Sequence, residues 1–340
     1  KVFSALLGEW SELPQNFSQD MILNAPSRNI MNKLGRSVLA LYSYDEKPES
    51  HDIKDELTKA LRLIARAPMI VAHAYAVKRH VFDRESLYLH HTDPSLSFAE
   101  NFLRAIRQDG SYTSVEAKLL DLCMVLHAEH GGGNNSAFAC RALSSTGTDI
   151  YSSISAAIGS LKGPKHGGAN EMVMQQFAEI KANVKDWKDD GEIMSYLSKI
   201  LNGKVGDGSK LIYGMGHAVY TLSDPRAVVL KKFARTVAQE KGRLDELELL
   251  ESVERLAPLA MNDAGKDKVV SANVDFYSGL IYSFLGIPDE LYTPMFAISR
   301  MVGWCAHRIE EVYNPRNRIM RPAYKSLSKR EAYSPISERQ

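Results

Sequence analysis

The apolar positions along this 340-residue chain follow the repeat of α-helices through most of its length. Apolar residues recur at spacings of three and four, which is typical of a helix with one buried face. This spacing predicts helices at 53–66, 97–107, 114–128, 171–185, 226–239, 245–260 and 294–312. Alternation of apolar and polar residues is scarce, and residues 82–91 are the best candidate for a short strand. The pattern therefore predicts an almost all-α protein.

Proline and capping residues predict where two of the helices begin. Thr293 is expected to cap the last helix, with Pro294 at its first position, because proline has no N–H that would need a partner there. The same argument predicts a helix start at Gly163–Pro164. The most polar interior stretch, residues 184–210, is rich in turn signals and is expected to form surface loops between short helices.

Composition narrows the class of protein. A chain of this length predicts roughly two domains and a large core. Lys and Arg number 42 against 41 Asp and Glu, so we expect neither nucleic acid nor a membrane surface as partner. No apolar run approaches the ~18–20 residues of a membrane span.

The cysteines and the first residue of the chain indicate the cellular compartment in which the protein is expected. Cys123, Cys140 and Cys305 are odd in number and lack metal-ligand spacing, so we expect small buried residues in a reducing compartment. The chain starts at Lys1, and a targeting segment would lie upstream of it. The expectation is therefore a cytoplasmic protein, or one of the mitochondrial matrix if such a segment exists.

Three short segments carry the candidate chemistry: GPKHGGAN at 163–170, GMGHAVYTLSDPRA at 214–227 and NVDFYSG at 273–279. They supply two histidines, a carboxylate and an arginine: His166, His217, Asp275 and Arg226. This set suits proton removal from a carbon acid and the binding of an anion. The GxG at 214–216 is no dinucleotide fingerprint, since Val219 stands where the third glycine would be.

Each of these residues is also typical of a structural role. His166 fits a cap on its own helix, Arg226 a surface charge at a helix start, and Asp275 a cap for the apolar stretch 276–285. On the residues alone these alternatives stay open.

A fourth segment, LHAEHGGGNNSAF at 126–138, brings His127, Glu129 and His130 close together. That combination raises the possibility of zinc. The order and spacing do not match the HExxH pattern, however, because Glu129 adjoins the second histidine and the histidines are three residues apart. The residues therefore argue against a metal site.

Taken together and in this order, the motifs strongly resemble those of the citrate synthase family. The resemblance rests on the following motifs: H-x-x-H at 127–130 before G-G-N-x-S at 132–136, G-P-x-H-G-G-A-N at 163–170, G-H at 216–217 followed by D-P-R at 224–226, N-V-D at 273–275, F-x-x-S-R at 296–300, R-P at 321–322 and the terminal YSPISER at 333–339. It is close from about residue 115 to the end and loose over the first hundred residues. It implies an all-α fold with a large helical domain, residues 1–167 and 284–340, and a smaller helical domain, residues 168–283.

The resemblance also implies a reaction, the condensation of oxaloacetate with acetyl-CoA to citrate and coenzyme A. Asp275 would remove a methyl proton, neutral His166 would stabilise the enol, and His217 would hydrogen-bond the ketone of oxaloacetate. The implied oxaloacetate ligands are His130, Asn134, Arg226, Arg300, Arg321 and Phe296, and the implied supporting residues are Ser136 and Asn273. Arg321 would reach the site of the partner subunit in a homodimer. No metal or cofactor is expected, since coenzyme A enters as part of the acyl-CoA substrate.

Several alternatives remain at this stage. The nearest is 2-methylcitrate synthase, which uses propionyl-CoA; one methylene changes binding by only about 1–3 kcal/mol, so no single residue decides. A lyase running the condensation backwards is usually fused to nucleotide-handling domains, of which this sequence shows none. A metallohydrolase built on His127, Glu129 and His130 and a non-catalytic binding protein complete the set.

The contacts to the coenzyme A phosphates are left open. Members of the family often have a basic residue shortly after G-H-A-V, where this chain has Thr221 and Leu222. Lys210, Lys231 and Lys232 are the candidates to replace it.

Overall fold

The computed structural model describes residues 2–216, 220, 222–266, 269–316, 318–327, 329–330 and 332–339. The α-helices in that part of the chain are α1 Val2–Trp10, α2 Ile30–Ala40, α3 Ile53–Asp83, α4 Phe98–Ile106, α5 Ser114–His127, α6 Asn135–Ser144, α7 Ile150–Leu161, α8 Ala169–Asn183, α9 Asp190–Leu201, α10 Pro225–Glu240, α11 Leu244–Asp263, α12 Val274–Phe284 and α13 Tyr292–Tyr313. Short π and 3₁₀ turns occur at Ser18–Leu23, Leu41–Tyr44, Asp289–Leu291 and Ile336–Glu338. The predicted all-α class is confirmed.

The predicted strand at 82–91 is wrong. Helix α3 continues to Asp83, and residues 84–91 have no regular structure. Within the described ranges, extended pairing is limited to one antiparallel bridge between Met215 and Ala272. Residues 84–91 instead form a mostly exposed loop, and side-chain hydrogen bonds to the carbonyls of His90 and His91 hold it in place.

The helix start predicted at Gly163–Pro164 is also wrong, since residues 163–168 form a series of turns and α8 begins at Ala169. The reason lies in the preceding helix. The N–H of Gly167 donates to the carbonyl of Leu161 at 2.9 Å, so the segment closes the end of α7. A β-carbon at Gly167 would overlap that carbonyl oxygen.

The last long helix begins slightly earlier than predicted. Helix α13 starts at Tyr292, so Pro294 lies in its first turn and Thr293 does not cap it. The hydroxyl of Thr293 donates instead to the carbonyl of Gly167 at 3.0 Å. This bond ties the 163–168 turns to the start of α13.

Helix contacts fall into two groups. Helix α13 packs on α3, α5, α6 and α7, whereas α12 packs on α8 and α10, and α11 packs on α9 and α10. Contacts of α13 with α8 and of α10 with α5 join the groups. The proposed domain boundaries, at 167–168 and 283–284, stay a prediction.

Helices α3, α12 and α13 each contribute many residues to the interior. By length and composition α3 could cross a membrane, alone among the described helices, yet 67% of its most apolar window is buried in the fold, which is typical of a core helix.

Cys123, Cys140 and Cys305 are buried and free, as expected. Burial raises the pKa of the Cys140 thiol to about 12, so this thiol is unreactive.

Candidate active site

His166 projects from the 163–168 turns and is held by the start of α6. The backbone N–H of Ser136 donates to His166 Nε2 at 3.3 Å, and the Ser136 hydroxyl lies 3.0 Å from the same nitrogen. The fully buried Ser136 hydroxyl also accepts the indole N–H of Trp304 at 3.1 Å and donates to Asn134 Oδ1 at 3.0 Å. The structure thus brings together Asn134, Ser136 and His166, three residues singled out in the sequence.

These contacts assign the tautomer of His166. Because Nε2 accepts the amide hydrogen of Ser136, the hydrogen of the neutral ring is on Nδ1. Burial lowers the pKa of His166, and the positive charge of Arg300 lowers it further. At neutral pH the ring is therefore uncharged and presents an N–H donor.

Arg300 is the strongest sign of an anion site. It is 1% exposed, and its Nε donates to the carbonyl of His127 at 2.6 Å. Neither of its two terminal nitrogens, Nη1 and Nη2, has a hydrogen-bond partner among the described residues. Burial lowers the pKa of Arg300 to about 10, so the group still carries its charge at neutral pH. Buried charged donors without acceptors are costly, and an anionic ligand would satisfy them.

Asp275 lies in the first turn of α12 without serving as its cap. The cap is Asn273, whose side-chain oxygen accepts the backbone N–H of Asp275 at 3.0 Å. The capping role considered for Asp275 is therefore wrong. Burial raises the pKa of Asp275 to about 6, despite the opposing charges of Arg226 and Arg300. A carboxylate with this pKa is ionised at neutral pH and is a stronger base than an exposed aspartate.

The residues before His217 are fastened to those before Asp275. The N–H of Gly216 donates to Ser271 O at 2.7 Å, and the N–H of Asn273 donates to Gly214 O at 2.9 Å. Only glycine fits at 214, since its φ is +76° and a β-carbon would lie 2.7 Å from the ring of Phe276. His217 itself lies outside the described residues, as does Thr221.

Asp224 supports the candidate site and is not among the residues predicted from the sequence. It caps α10, and its carboxylate accepts both Nε and Nη2 of Arg226, at 3.0 and 2.8 Å. The same carboxylate accepts the N–H of Val274 at 3.1 Å. Asp224 therefore orients Arg226 and also fixes the start of the helix that carries Asp275. The D-P-R sequence contains the signal, but its sequence interpretation covers the helix start and Arg226 and gives Asp224 no role of its own.

Phe296 lies between the histidine and arginine side chains of the site. Its ring is 5.0 Å from that of His127 and 6.3 Å from that of His166, and the guanidinium carbon of Arg300 is 4.8 Å from its centroid. The ring of His130 lies 5.8 Å from that of Tyr220.

Arg321 is placed differently from the other predicted ligands. It is exposed and lies after α13, in a stretch where the structure describes no regular element before the short 3₁₀ turn at Ile336–Glu338. Among the contacts of the described residues, none joins it to the side chains above. The neighbouring residue Met320 anchors the tail through its N–H, which donates to the hydroxyl of Ser145 at 3.0 Å.

The side chains considered for zinc are used in other ways. His127 is buried, and its Nδ1 donates to the carbonyl of Cys123 at 2.8 Å. Glu129 Oε1 accepts from His307 Nε2 at 2.9 Å. No group of three or more potential ligands gathers within the described ranges. The metallohydrolase alternative gains no support from this arrangement.

The site as a whole combines three chemical functions. Asp275 is a base, His166 is a neutral N–H donor, and two guanidinium groups, Arg226 and Arg300, act electrostatically on the base. Such a set can take a proton from a carbon beside a carbonyl, stabilise the resulting negative oxygen and hold an anionic second substrate.

Comparison with known proteins gives a consistent result. Residues 1–323 match the family model described as citrate synthase, C-terminal domain. The chain is 38% identical over 296 residues to citrate synthase of Deinococcus radiodurans, covering 86% of this chain and 72% of that protein. It is 34% identical over 316 residues to citrate synthase of Haloferax volcanii, covering 91% of this chain and 75% of that protein. The match therefore includes the first hundred residues, where the motifs resembled the family only loosely.

Solved structures agree. The crystal structure of citrate synthase from Pyrobaculum aerophilum superposes with a TM-score of 0.80 at 29% identity, covering 99% of this chain and 81% of that one. The ternary complex of carboxymethyl coenzyme A and oxaloacetate with the Thermoplasma acidophilum citrate synthase superposes with a TM-score of 0.77 at 28% identity. The match covers 99% of this chain and 83% of that one. The chain belongs to the citrate synthase family.

Proposed function

We propose that this chain condenses acetyl-CoA with oxaloacetate and water to form citrate and coenzyme A. The observation that carries the proposal is Arg300, a buried cation with two unpartnered terminal nitrogens whose charge acts on both Asp275 and His166. A carboxylate of oxaloacetate supplies the missing acceptors. The related Thermoplasma acidophilum enzyme, solved with oxaloacetate and a coenzyme A analogue, supports this choice of substrates.

Asp275 begins the reaction by taking a proton from the methyl group of acetyl-CoA. Its pKa of about 6 keeps it ionised at pH 7 while making it a stronger base than an exposed aspartate. General-base catalysis contributes about 10²–10⁴ in rate, which is too little alone for so weak a carbon acid. The Nδ1–H of His166 donates to the thioester oxygen as it gains negative charge, and one such donor contributes about 10²–10³ more.

Oxaloacetate receives the nucleophile. Arg300 and the guanidinium edge of Arg226 not engaged by Asp224 hold its carboxylates. His217 and His130 donate to its ketone, and Asn134 and Phe296 complete the pocket. Water then hydrolyses the condensed thioester. The reaction needs no cofactor, because guanidinium and imidazole groups supply the positive charge and coenzyme A belongs to the substrate.

Release of free thiol tests this function. We expect the chain to release thiol from acetyl-CoA when oxaloacetate is present and not when it is replaced by pyruvate, which lacks the second carboxylate. Propionyl-CoA assayed in parallel measures acyl preference, and we expect acetyl-CoA to have the larger kcat/KM. Absence of thiol release from both thioesters by folded protein would refute the proposal.

We further propose that two copies form a dimer in which Arg321 completes the oxaloacetate site of the partner subunit. The tail that carries it supports this, because its large apolar side chains Tyr324, Leu327, Tyr333 and Ile336 are 82–95% exposed in one copy. Apolar side chains on an extended segment are typical of an arm that packs on another surface.

Subunit mixing tests the role of Arg321. Arg321→Ala and Asp275→Ala are each expected to be nearly inactive, whereas a mixed dimer would have one site with both defects and one site with neither. Activity should then rise well above that of either parent. Arg318→Ala, a change of another exposed arginine in the same tail, serves as control and should keep parental activity. Verified mixed dimers that stay inactive would show that Arg321 does not act in trans.

A further inference from the structure

The loop between α5 and α6, residues 128–134, is bonded along one face of α13. Arg300 Nε donates to the carbonyl of His127, at the end of α5, at 2.6 Å. One turn further along α13, the backbone N–H of Gly303 donates to the carbonyl of Ala128 at 3.1 Å. These two bonds align the base of the loop with the helix.

The next turn of α13 adds a side-chain contact. His307 Nε2 lies 2.9 Å from Glu129 Oε1, and the same oxygen accepts the N–H of Gly131. Glu129 and Gly131 are the chain neighbours of His130. His307 is therefore bonded to the carboxylate that fixes the backbone N–H directly after His130, a proposed ketone ligand. Its other nitrogen, Nδ1, lies 3.3 Å from Glu310 Oε2 on its own helix.

Helix and loop approach so closely that only glycine fits at position 303. A β-carbon there would overlap the Glu129 carboxylate and the carbonyl oxygen of Ala128. The side chain of Glu129 therefore lies directly over the backbone of α13, where it reaches both His307 and the surroundings of Arg300.

Glu129 also supports the charge of Arg300. Burial lowers the pKa of Arg300, and the negative charge of Glu129 is the largest influence opposing that effect. Burial disfavours the Glu129 carboxylate, but hydrogen bonds from His307 and the Gly131 N–H keep its pKa below the ordinary value. Glu129 is thus ionised at neutral pH, and His307 helps to keep it so.

We propose that Glu129 and His307 form a clamp that positions His130 and Arg300 for the keto acid, with Gly303 providing the space. This inference rests on the proposed function, since it assigns the clamp to the oxaloacetate half of the site. Both members are positioning residues that touch neither substrate. The clamp acts on oxaloacetate and leaves acetyl-CoA binding unchanged, because the hydrogen bonds described for Asp275 and His166 involve neither Glu129 nor His307.

Kinetics of His307→Ala, His307→Gln and Glu129→Gln test the clamp, with Glu310→Gln as the matched control. We expect His307→Ala and Glu129→Gln to raise KM for oxaloacetate about fivefold, the effect of losing one partly exposed hydrogen bond. KM for acetyl-CoA should not change. His307→Gln should recover most of the loss, because its amide N–H can still donate to Glu129. Glu310→Gln removes the other carboxylate beside His307 and should behave as the parent.

Calorimetric titration with oxaloacetate distinguishes failure of the clamp from failure of the function. A parent chain that binds oxaloacetate, with a His307→Ala variant of equal affinity, overturns the clamp alone. So does an equal rise in both KM values, or the same effect in Glu310→Gln, since either marks a general structural role. A folded parent chain that binds no oxaloacetate overturns the function and the clamp together.

Discussion

Replacing Asp275 by asparagine should remove activity and at the same time stabilise the fold. Asparagine keeps the size of the side chain but cannot accept a proton, so turnover should fall by at least the 10²–10⁴ of a general base. Burial raises the pKa of Asp275 from 3.8 to about 6, which means that the folded chain disfavours the ionised form. A neutral amide avoids that cost.

The size of the gain follows from the shift in pKa. The difference of roughly 2 pKa units, at about 1.36 kcal/mol each, gives about 3 kcal/mol at most. The sign is that of a raised pKa: the stabilisation by the neutral carboxyl group is complete below pH 3.8 and is lost as the pH rises through about 6. Unfolding entropy of about 2.1 cal/mol/K per residue converts 3 kcal/mol into a Tm increase of about 4 °C for a chain of this length.

Thermal unfolding at two pH values provides the assay. At pH 7.5 the variant should melt about 4 °C above the parent, and at pH 4.5 the gain should shrink to about a third, because the parent carboxyl group is then largely protonated when folded. Asp245→Asn is the matched control, since Asp245 is exposed and occupies the same position in the first turn of α11. This control should lose a little stability through the helix dipole.

The outcome that refutes the reasoning is specific. If Asp275→Asn is inactive but melts at or below the parental temperature at pH 7.5, Asp275 is not a carboxylate strained by burial. A gain that is equal at both pH values would likewise show that its charge is not the cause.

Two further predictions concern residues that support the site. Asp224→Asn weakens the hydrogen bonds that orient Arg226. KM for oxaloacetate in initial-rate assays should therefore rise by about tenfold or more, the effect of a lost hydrogen bond to a charged group. An unchanged KM would show that Arg226 needs no such support. Ser136→Ala leaves the indole N–H of Trp304 without its acceptor and should cost about 1–3 kcal/mol of unfolding free energy in denaturant titrations. Its kcat should fall by less than about tenfold, because the backbone N–H of Ser136 still sets the tautomer of His166; a fall as deep as that of His166→Ala would show that the hydroxyl is the essential contact.

The helices could be predicted because their apolar periodicity directly reports which face is buried. The sequence predicts helix α10 at 226–239, and the helix spans Pro225–Glu240, since Asp224 and Pro225 fix its start locally. Local signals failed at 163–168, where proline and glycine are compatible with a helix start. There the deciding bond, from Gly167 to Leu161, belongs to the end of the preceding helix.

The site shows the same division between local and distant information. Asn273 and Asp275 are both good capping residues, and the sequence cannot rank them; the structure gives the cap to Asn273 and so leaves the Asp275 carboxylate free of that task. Asp224 meets Val274 across 50 positions, and Glu129 meets His307 across 178. No spacing rule reaches that far. The roles proposed for Asp224 and for the Glu129–His307 pair therefore needed the structure, whereas the motif residues could be named from the resemblance.

Helix α13 has a consequence for how this enzyme can change over evolutionary time. Arg300 donates to the end of α5, Gly303 leaves room for the 128–134 loop, Trp304 donates to Ser136, His307 contacts Glu129, and the buried Arg308 pairs with a glutamate of α3. A substitution at any of these positions disturbs a separate part of the protein, and none can be compensated by sliding the helix without losing the others. We therefore expect new substrate preferences to arise through α8, α10, α12 and their loops, with α13 as the part of the molecule that stays fixed while the rest diversifies.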